Sequence, residues 1–135
     1  MSQQLNIGWI GLGVMGAPMC GHLLAAGYPV KVYTRSRDRA EPLIAAGAAW
    51  CESPAAVAED SDVVFTMVGS DAEVRDVYFS GSGLLAGDIS GRIFVDMGTT
   101  APGTTEEIVR YCEQGGASCV DAPVSGGDVG ARNAT

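Results

Sequence analysis

The chain has 135 residues, which is enough for about one domain. Its 8 Lys and Arg residues against 16 Asp and Glu residues give a formal net charge of −8, which argues against binding to nucleic acid or to an anionic membrane. With 47% hydrophobic and 18% charged residues, the composition excludes intrinsic disorder and predicts a folded core.

Targeting and metal-binding signals are not recognisable in the sequence. The apolar run Ile7–Leu12 is broken by Gly8 and Gly11, and no basic segment precedes it. The four cysteines have irregular spacing without a C-x-x-C pair, and His22 is the single histidine. We therefore expect a cytoplasmic protein with reduced thiols, without a metal site and without a membrane-spanning segment.

The hydrophobic pattern alternates between the periods of strands and of helices. In chain order it predicts strand Leu5–Ile10, helix Met15–Ala26, strand Pro29–Thr34, helix Arg37–Ala46, strand Ala48–Cys51, helix Ser53–Glu59, strand Asp62–Val68, helix Asp71–Phe79, loop Ser80–Gly91, strand Arg92–Asp96, helix Gly103–Gln114 and strand Ala117–Asp121. Strands separated by helices of this length indicate a parallel sheet with right-handed crossovers. The sequence therefore predicts an α/β fold with a doubly wound parallel sheet, in a single domain over residues 1–135.

The turn after the first predicted strand carries a glycine fingerprint. Gly11, Gly13 and Gly16 form G-x-G-x-x-G between that strand and a helix, which is the context that a dinucleotide-binding Rossmann domain requires. The first glycine permits the tight turn, the second lets the backbone approach a pyrophosphate, and the third allows close packing of the helix. The alternative is a tight turn without a ligand. The candidate cofactor residues of this turn are Gly11, Leu12, Gly13, Val14, Met15 and Gly16.

The end of the second predicted strand bears on which dinucleotide is bound. NAD-binding domains usually place Asp or Glu there for the ribose 2′-hydroxyl. This chain has Thr34, Arg35 and Ser36 instead, and its first acid is Asp38. A guanidinium can bind a 2′-phosphate with two hydrogen bonds. The sequence therefore favours NADP over NAD, and the alternative is a solvated basic start of the next helix.

Four stretches carry a family resemblance: Ile10–Met19 (IGLGVMGAPM), Tyr33–Ser36 (YTRS), Asp96–Thr99 (DMGT) and Asp121–Gly127 (DAPVSGG). Together they resemble the β-hydroxyacid dehydrogenases, the family of 3-hydroxyisobutyrate dehydrogenase, tartronate semialdehyde reductase and the glyoxylate and succinic semialdehyde reductases. The last stretch is the most specific, because proteins with the glycine fingerprint in general lack it. The resemblance covers essentially the whole chain.

The resemblance implies roles for residues that follow the later strands. It implies that Met67, Val68 and Gly69 line the path from adenosine to nicotinamide, that Glu73 lies near the nicotinamide ribose, that Thr99 contacts the cofactor near its reactive end, and that Ser125, Gly126 and Gly127 bind the substrate. The alternatives are an ordinary turn at Ser125–Gly127 and a solvated helix acid at Glu73.

The resemblance also implies an activity, the transfer of a hydride between NADP(H) and a small 3-hydroxy acid or the matching semialdehyde in a homo-oligomer. The catalytic lysine of the family lies on a later helix, in an all-helical domain beyond Thr135. The one lysine here, Lys31, lies on the second predicted strand, near the adenosine end. We therefore expect this chain to hold no proton-transfer residue and to be inactive alone. Alternatives are a non-catalytic NADP(H)-binding module and an imine reductase, against which Ser125–Gly127 argues.

Overall fold

A computed structural model describes residues 4–124 and 127–134. Six parallel strands form one sheet in the order β3-β2-β1-β4-β5-β6. The strands are β1 Ile7–Ile10, β2 Val30–Tyr33, β3 Ala49–Trp50, β4 Val63–Thr66, β5 Ile93–Asp96 and β6 Ser118–Asp121. The helices are α1 Gly16–Ala25, α2 Glu41–Ala45, α3 Pro54–Ala58, α4 Asp71–Phe79, α5 Pro102–Gly115 and α6 Gly127–Asn133. The predicted doubly wound α/β sheet is confirmed.

Two apolar layers cover the two faces of the sheet. Alternate strand residues point to opposite faces, so Trp9 and Val32 pack with α1 and α2 on one side. On the other side Val64 and Phe94 pack with α3, α4 and α5. All four residues of β1 are buried, as expected of the central strand of a sheet covered on both faces.

The helix predicted over Arg37–Ala46 is divided in two. A 3₁₀ turn, Arg37–Ala40, precedes α2, which has Pro42 in its first turn. Proline lacks the N–H that an interior helical position needs, so the α-helix begins only where the proline can stand near its start. The prediction of one continuous helix was wrong at this point.

Two further features were not predicted from the sequence. The loop Ser80–Gly91 contributes Leu84, Leu85 and Ile89 to the core, so it is a packed part of the fold and not only a connection. The helix α6 was not predicted, because Gly127 and Gly130 are poor helix formers and mask its pattern.

All four thiols lie in the described residues and are unpaired, and burial raises the pKa of Cys20 to about 12. Within residues 4–124 and 127–134, no helix combines the length and the apolar character needed to cross a membrane.

The order of the strands creates the site. From β1 the chain winds outward through β2 and β3 to one edge, and then returns to place β4 on the other side of β1. Ile7 therefore pairs with both Val30 and Val63. The connections that leave β1 and β4 diverge to opposite faces, and they leave a crevice at the carboxyl ends of these strands, where open α/β sheets bind their ligands.

Candidate functional site

A cleft of about 930 Å³ occupies this crevice. It brings together the three segments that the sequence singled out, after β1, β2 and β4. The predicted cofactor residues that line it are Gly11, Leu12, Gly13, Val14, Met15, Gly16, Thr34, Arg35, Ser36, Met67, Val68, Gly69 and Glu73. The cleft is therefore a single concave surface built from residues far apart in the sequence.

Two of the fingerprint glycines are required by the backbone itself. Gly11 has a φ of +98°, and a Cβ there would lie 2.2 Å from the carbonyl oxygen of Met67. A Cβ on Gly16 would lie 2.1 Å from the carbonyl oxygen of Gly11, which also accepts a hydrogen bond of 2.8 Å from Trp9 Nε1. The turn is thus fixed by contacts that leave no room for a side chain.

Gly13 differs from the other two glycines. A Cβ at this position would meet no heavy atom closer than Arg39 Nη1, at 3.8 Å, and its φ is not in the left-handed region. The residue therefore keeps space open and is not needed for the backbone conformation. This is what close approach of a ligand to the main chain requires.

The start of α1 is open to an anion. Met15 occupies its N-cap position without a side-chain hydrogen bond, and its first turn contains no acid. By contrast, Ser53 and Ser70 cap α3 and α4 by accepting hydrogen bonds from backbone N–H groups. The N–H groups of Ala17 and Met19 donate to the carbonyl oxygens of Gly13 and Met15, and Pro18 has no N–H. The positive end of the α1 dipole therefore remains at the cleft, where it favours a phosphate group.

The basic residues after β2 separate into two sets. Arg35 and Arg39 line the cleft, and the Arg35 side chain is 78% exposed. Arg37 lies elsewhere: its Nε is 3.5 Å from Glu41 Oε1, and its guanidinium stands 5.5 Å from the centre of the Trp50 ring. Two of the three arginines can therefore meet a ligand in the cleft.

Glu73 faces Arg35 from the opposite wall of the cleft. Its Oε2 lies 3.7 Å from Arg35 Nη1, and its side chain is 32% exposed. The acid occupies the first turn of α4, where its backbone N–H donates to Ser70 Oγ. Glu73 thus lies beside Arg35, the residue predicted to bind the 2′-phosphate of the adenosine ribose. The role predicted for Glu73 at the nicotinamide ribose, at the other end of the dinucleotide, is an alternative to a role at the 2′-phosphate and stays a prediction.

Among the remaining predicted residues, Thr99 is not part of the cleft lining. Thr99 is exposed in the segment after β5. Ser125 and Gly126 lie outside the described residues, and Gly127 is the first residue of α6, where the sequence predicted a loop. The roles of all four remain predictions.

A buried polar network lies under the segment that carries Thr99. Asp96, 1% exposed, accepts hydrogen bonds from Thr66 Oγ1 at 3.0 Å, from the Gly98 N–H at 3.3 Å and from Thr100 Oγ1. Because the Thr66 proton is used on Asp96, Tyr78 donates to Thr66 Oγ1 at 3.0 Å. Burial raises the pKa of Tyr78 well above its ordinary value, which keeps this hydroxyl protonated.

Sequence reasoning missed several residues of the cleft. The structure adds Tyr33, Arg39, Asp76, Ser80 and Ser82 to its lining. Arg39 could have been found from the basic run after β2. The two serines carry no such signal, since they follow α4 in a stretch that reads only as a loop.

The comparisons with known proteins cover nearly the whole chain. Residues 6–135 match the family described as the NAD-binding domain of 6-phosphogluconate dehydrogenase. A probable 3-hydroxyisobutyrate dehydrogenase-like protein of Arabidopsis thaliana, named as mitochondrial, is 51% identical over 129 residues, which are 95% of this chain and 39% of that protein.

Solved structures are also similar to nearly the whole of this chain. A protein named Psf3, in complex with NADP⁺ and 2-OPP, is 40% identical with a TM-score of 0.87 over 94% of this chain and 45% of its own. The 3-hydroxyisobutyrate dehydrogenase of Mycobacterium tuberculosis with L-serine is 37% identical, with a TM-score of 0.87 over 98% and 45%. An imine reductase from Pseudomonas sp. is 26% identical, with a TM-score of 0.82 over 95% and 44%.

The chain thus spans less than half of the length of these relatives. Its six-stranded sheet, its glycine fingerprint and the match over residues 6–135 agree with one another. The chain belongs to the family of the NAD-binding domain of 6-phosphogluconate dehydrogenase.

Proposed function

We propose that this chain is the NADP-binding domain of an oxidoreductase that transfers a hydride between NADP(H) and a small 3-hydroxy acid or the matching semialdehyde. The observation that carries the proposal is the position of Arg35, which lines the same cleft as the fingerprint glycines and stands where an NAD-binding domain has an acid. The 3-hydroxyisobutyrate dehydrogenase names among the relatives support the substrate class.

The residues of the cleft suit the parts of a dinucleotide. The backbone around Gly13 and the open N-terminus of α1 would hold the pyrophosphate. Thr34, Arg35 and Ser36 would hold the 2′-phosphate, with Arg39 beside them. When bound, the nicotinamide ring supplies the hydride acceptor or donor. These residues would bind and orient the cofactor.

Oxidation of a hydroxy acid also needs a group that takes the hydroxyl proton. Lys31 Nζ donates to the carbonyl oxygen of Glu59 at 2.8 Å, and His22 Nε2 lies 2.7 Å from the carbonyl oxygen of Ala131. Neither residue lines the cleft. We assign proton transfer to the later lysine that the family resemblance implies, and substrate binding to Ser125, Gly126 and Gly127, with Thr99 near the reactive end of the cofactor.

Titration of the chain with NADP⁺ and NAD⁺ by calorimetry tests the cofactor. We expect Arg35→Ala to weaken NADP⁺ binding by about 2 kcal/mol, or roughly thirty-fold, and to change NAD⁺ binding little. Arg37→Ala is the matched control, since Arg37 is held on Trp50 outside the cleft. Unchanged NADP⁺ affinity in Arg35→Ala would contradict the proposal.

A second candidate function is imine reduction, which the likeness to the Pseudomonas imine reductase favours. The stretch Asp121–Gly127 argues for the hydroxyacid branch instead. Assays of a longer protein that contains this chain, with 3-hydroxyisobutyrate and with a cyclic imine, distinguish the two. Binding of NADP(H) without turnover of either would indicate a non-catalytic module.

The oligomeric state, the compartment and the partners of the longer enzyme are also part of the proposal. We propose a homo-oligomer of the longer enzyme, acting on a small molecule in the cytoplasm without nucleic-acid or membrane partners. The net charge of −8 supports the absence of nucleic-acid binding. Chromatography of the longer protein with light scattering measures the oligomeric state.

A further inference from the structure

An ion pair across the cleft joins Arg35, the residue proposed to bind the 2′-phosphate, to the acid Glu73. Arg35 Nη1 and Glu73 Oε2 are 3.7 Å apart, and both residues line the cleft, one after β2 and the other on α4. Within residues 4–124 and 127–134, Glu73 is the one carboxylate that pairs with Arg35. The guanidinium that would bind a phosphate therefore already faces a carboxylate at ion-pair distance, beyond the length of a hydrogen bond.

The conformation of Glu73 is not explained by its helix. Ser70 and Glu73 have the S-x-x-E spacing in which the acid normally reaches back to the backbone N–H of the serine. Ser70 Oγ does accept from the Glu73 N–H, at 3.2 Å, but the described residues show no return bond to the Ser70 N–H. The carboxylate instead turns into the cleft, where its Oε1 lies 3.5 Å from where a Cβ on Gly69 would stand.

We infer that Glu73 is a specificity-determining residue, an inference that rests on the proposed function. By holding Arg35 across the cleft, Glu73 lowers the affinity for dinucleotides with a 2′-phosphate. A 2′-phosphate must displace the carboxylate from the guanidinium, and it then lies near a negative charge. A ribose 2′-hydroxyl carries no charge, so its binding does not require displacement of the Glu73 carboxylate from Arg35. Glu73 thus narrows the preference for NADP over NAD that Arg35 creates.

The chain offers a matched control. Arg37 and Glu41 form a second arginine–glutamate pair, 3.5 Å apart, on the same basic segment but outside the cleft. Glu41→Gln removes the same charge and frees a neighbouring arginine. An effect of net charge alone would appear in both variants, and release of Arg35 would appear only in Glu73→Gln.

The experiment is calorimetric titration of the 135-residue chain with NADP⁺ and with NAD⁺. We expect Glu73→Gln to tighten NADP⁺ binding about five-fold and to change NAD⁺ binding less than about two-fold. Glu41→Gln should leave both affinities within about two-fold. In an Arg35→Ala background, the gain from Glu73→Gln should fall below about two-fold, because the competing pair is gone.

The outcomes separate this inference from the function on which it rests. Equal tightening of NADP⁺ and NAD⁺, or unchanged or weaker NADP⁺ binding in Glu73→Gln, would overturn the inference and leave the cofactor assignment in place. Absence of NADP⁺ binding to the unmodified chain would overturn the proposed function, and this inference with it.

Discussion

At the scale of single residues, Gly13 allows a direct test of the space reserved for a ligand. We expect Gly13→Val to weaken dinucleotide binding at least about ten-fold, since the branched side chain would stand where the pyrophosphate approaches. The free energy of unfolding should change by less than about 1 kcal/mol, because neither a close contact nor a positive φ demands glycine there. Calorimetry and urea unfolding give the two values.

The contrasting variant is Gly16→Val, whose Cβ would collide with the carbonyl oxygen of Gly11. It should lower both binding and the free energy of unfolding. If Gly13→Val binds NADP⁺ normally, the loop does not approach the phosphates as argued.

How far the sequence predicts the site is clearest at the arginines after β2. The sequence pattern does not distinguish Arg35, Arg37 and Arg39 from one another, and only Arg35 was predicted to bind the cofactor. Arg37 does not line the cleft because its guanidinium packs over the ring of Trp50. The pairing of β2 with β3 brings Trp50 to that position. Such a contact depends on tertiary structure, so local pattern cannot reveal it.

At the scale of elements, the Asp96 network joins β4, β5 and α4. We expect Asp96→Asn to lower the free energy of unfolding by about 1–3 kcal/mol, because one of the two accepting oxygens becomes an NH₂ group in a buried site. Asp121 is the matched control: it pairs with Asp96 in register on β6, but it is exposed. Asp121→Asn should change the stability by less than about 0.5 kcal/mol. Equal urea midpoints for both variants would contradict the role of the network.

The elements themselves were largely predictable. The buried strands and the glycine turn follow from periodicity and from spacing that local sequence records. Two elements were exceptions. Pro42 restricts the α-helix α2 to a start at Glu41, and the low helix propensity of Gly127 and Gly130 obscured the pattern of α6. Neither the network around Asp96 nor the burial of Leu84 could be read in advance, since both depend on which elements become neighbours.

At the scale of the whole molecule, the cleft collects the predicted cofactor residues, and neither Lys31 nor His22 is among the described residues that line it. We expect the 135-residue chain to show no measurable turnover of 3-hydroxyisobutyrate with NADP⁺, or of small semialdehydes with NADPH. General acid–base catalysis is worth about 10²–10⁴-fold, and Lys31 and His22 bond to backbone oxygens outside the cleft. Absorbance of NADPH measures the rate, and robust turnover would require a proton donor among the groups present.

The position of β1 between β2 and β4 has a consequence for how the domain folds. The two walls of the crevice belong to parts of the chain that meet only when Ile7 pairs with Val63, a contact between residues distant in sequence. Closing so long a loop costs entropy, and non-local pairing is slow compared with helix formation. A chain that has joined β1 to β2 and β3 has one wall and no binding site. Dinucleotide binding therefore reports the pairing of β1 with β4, and by mass action the ligand favours the state in which both walls are present over forms in which they are apart.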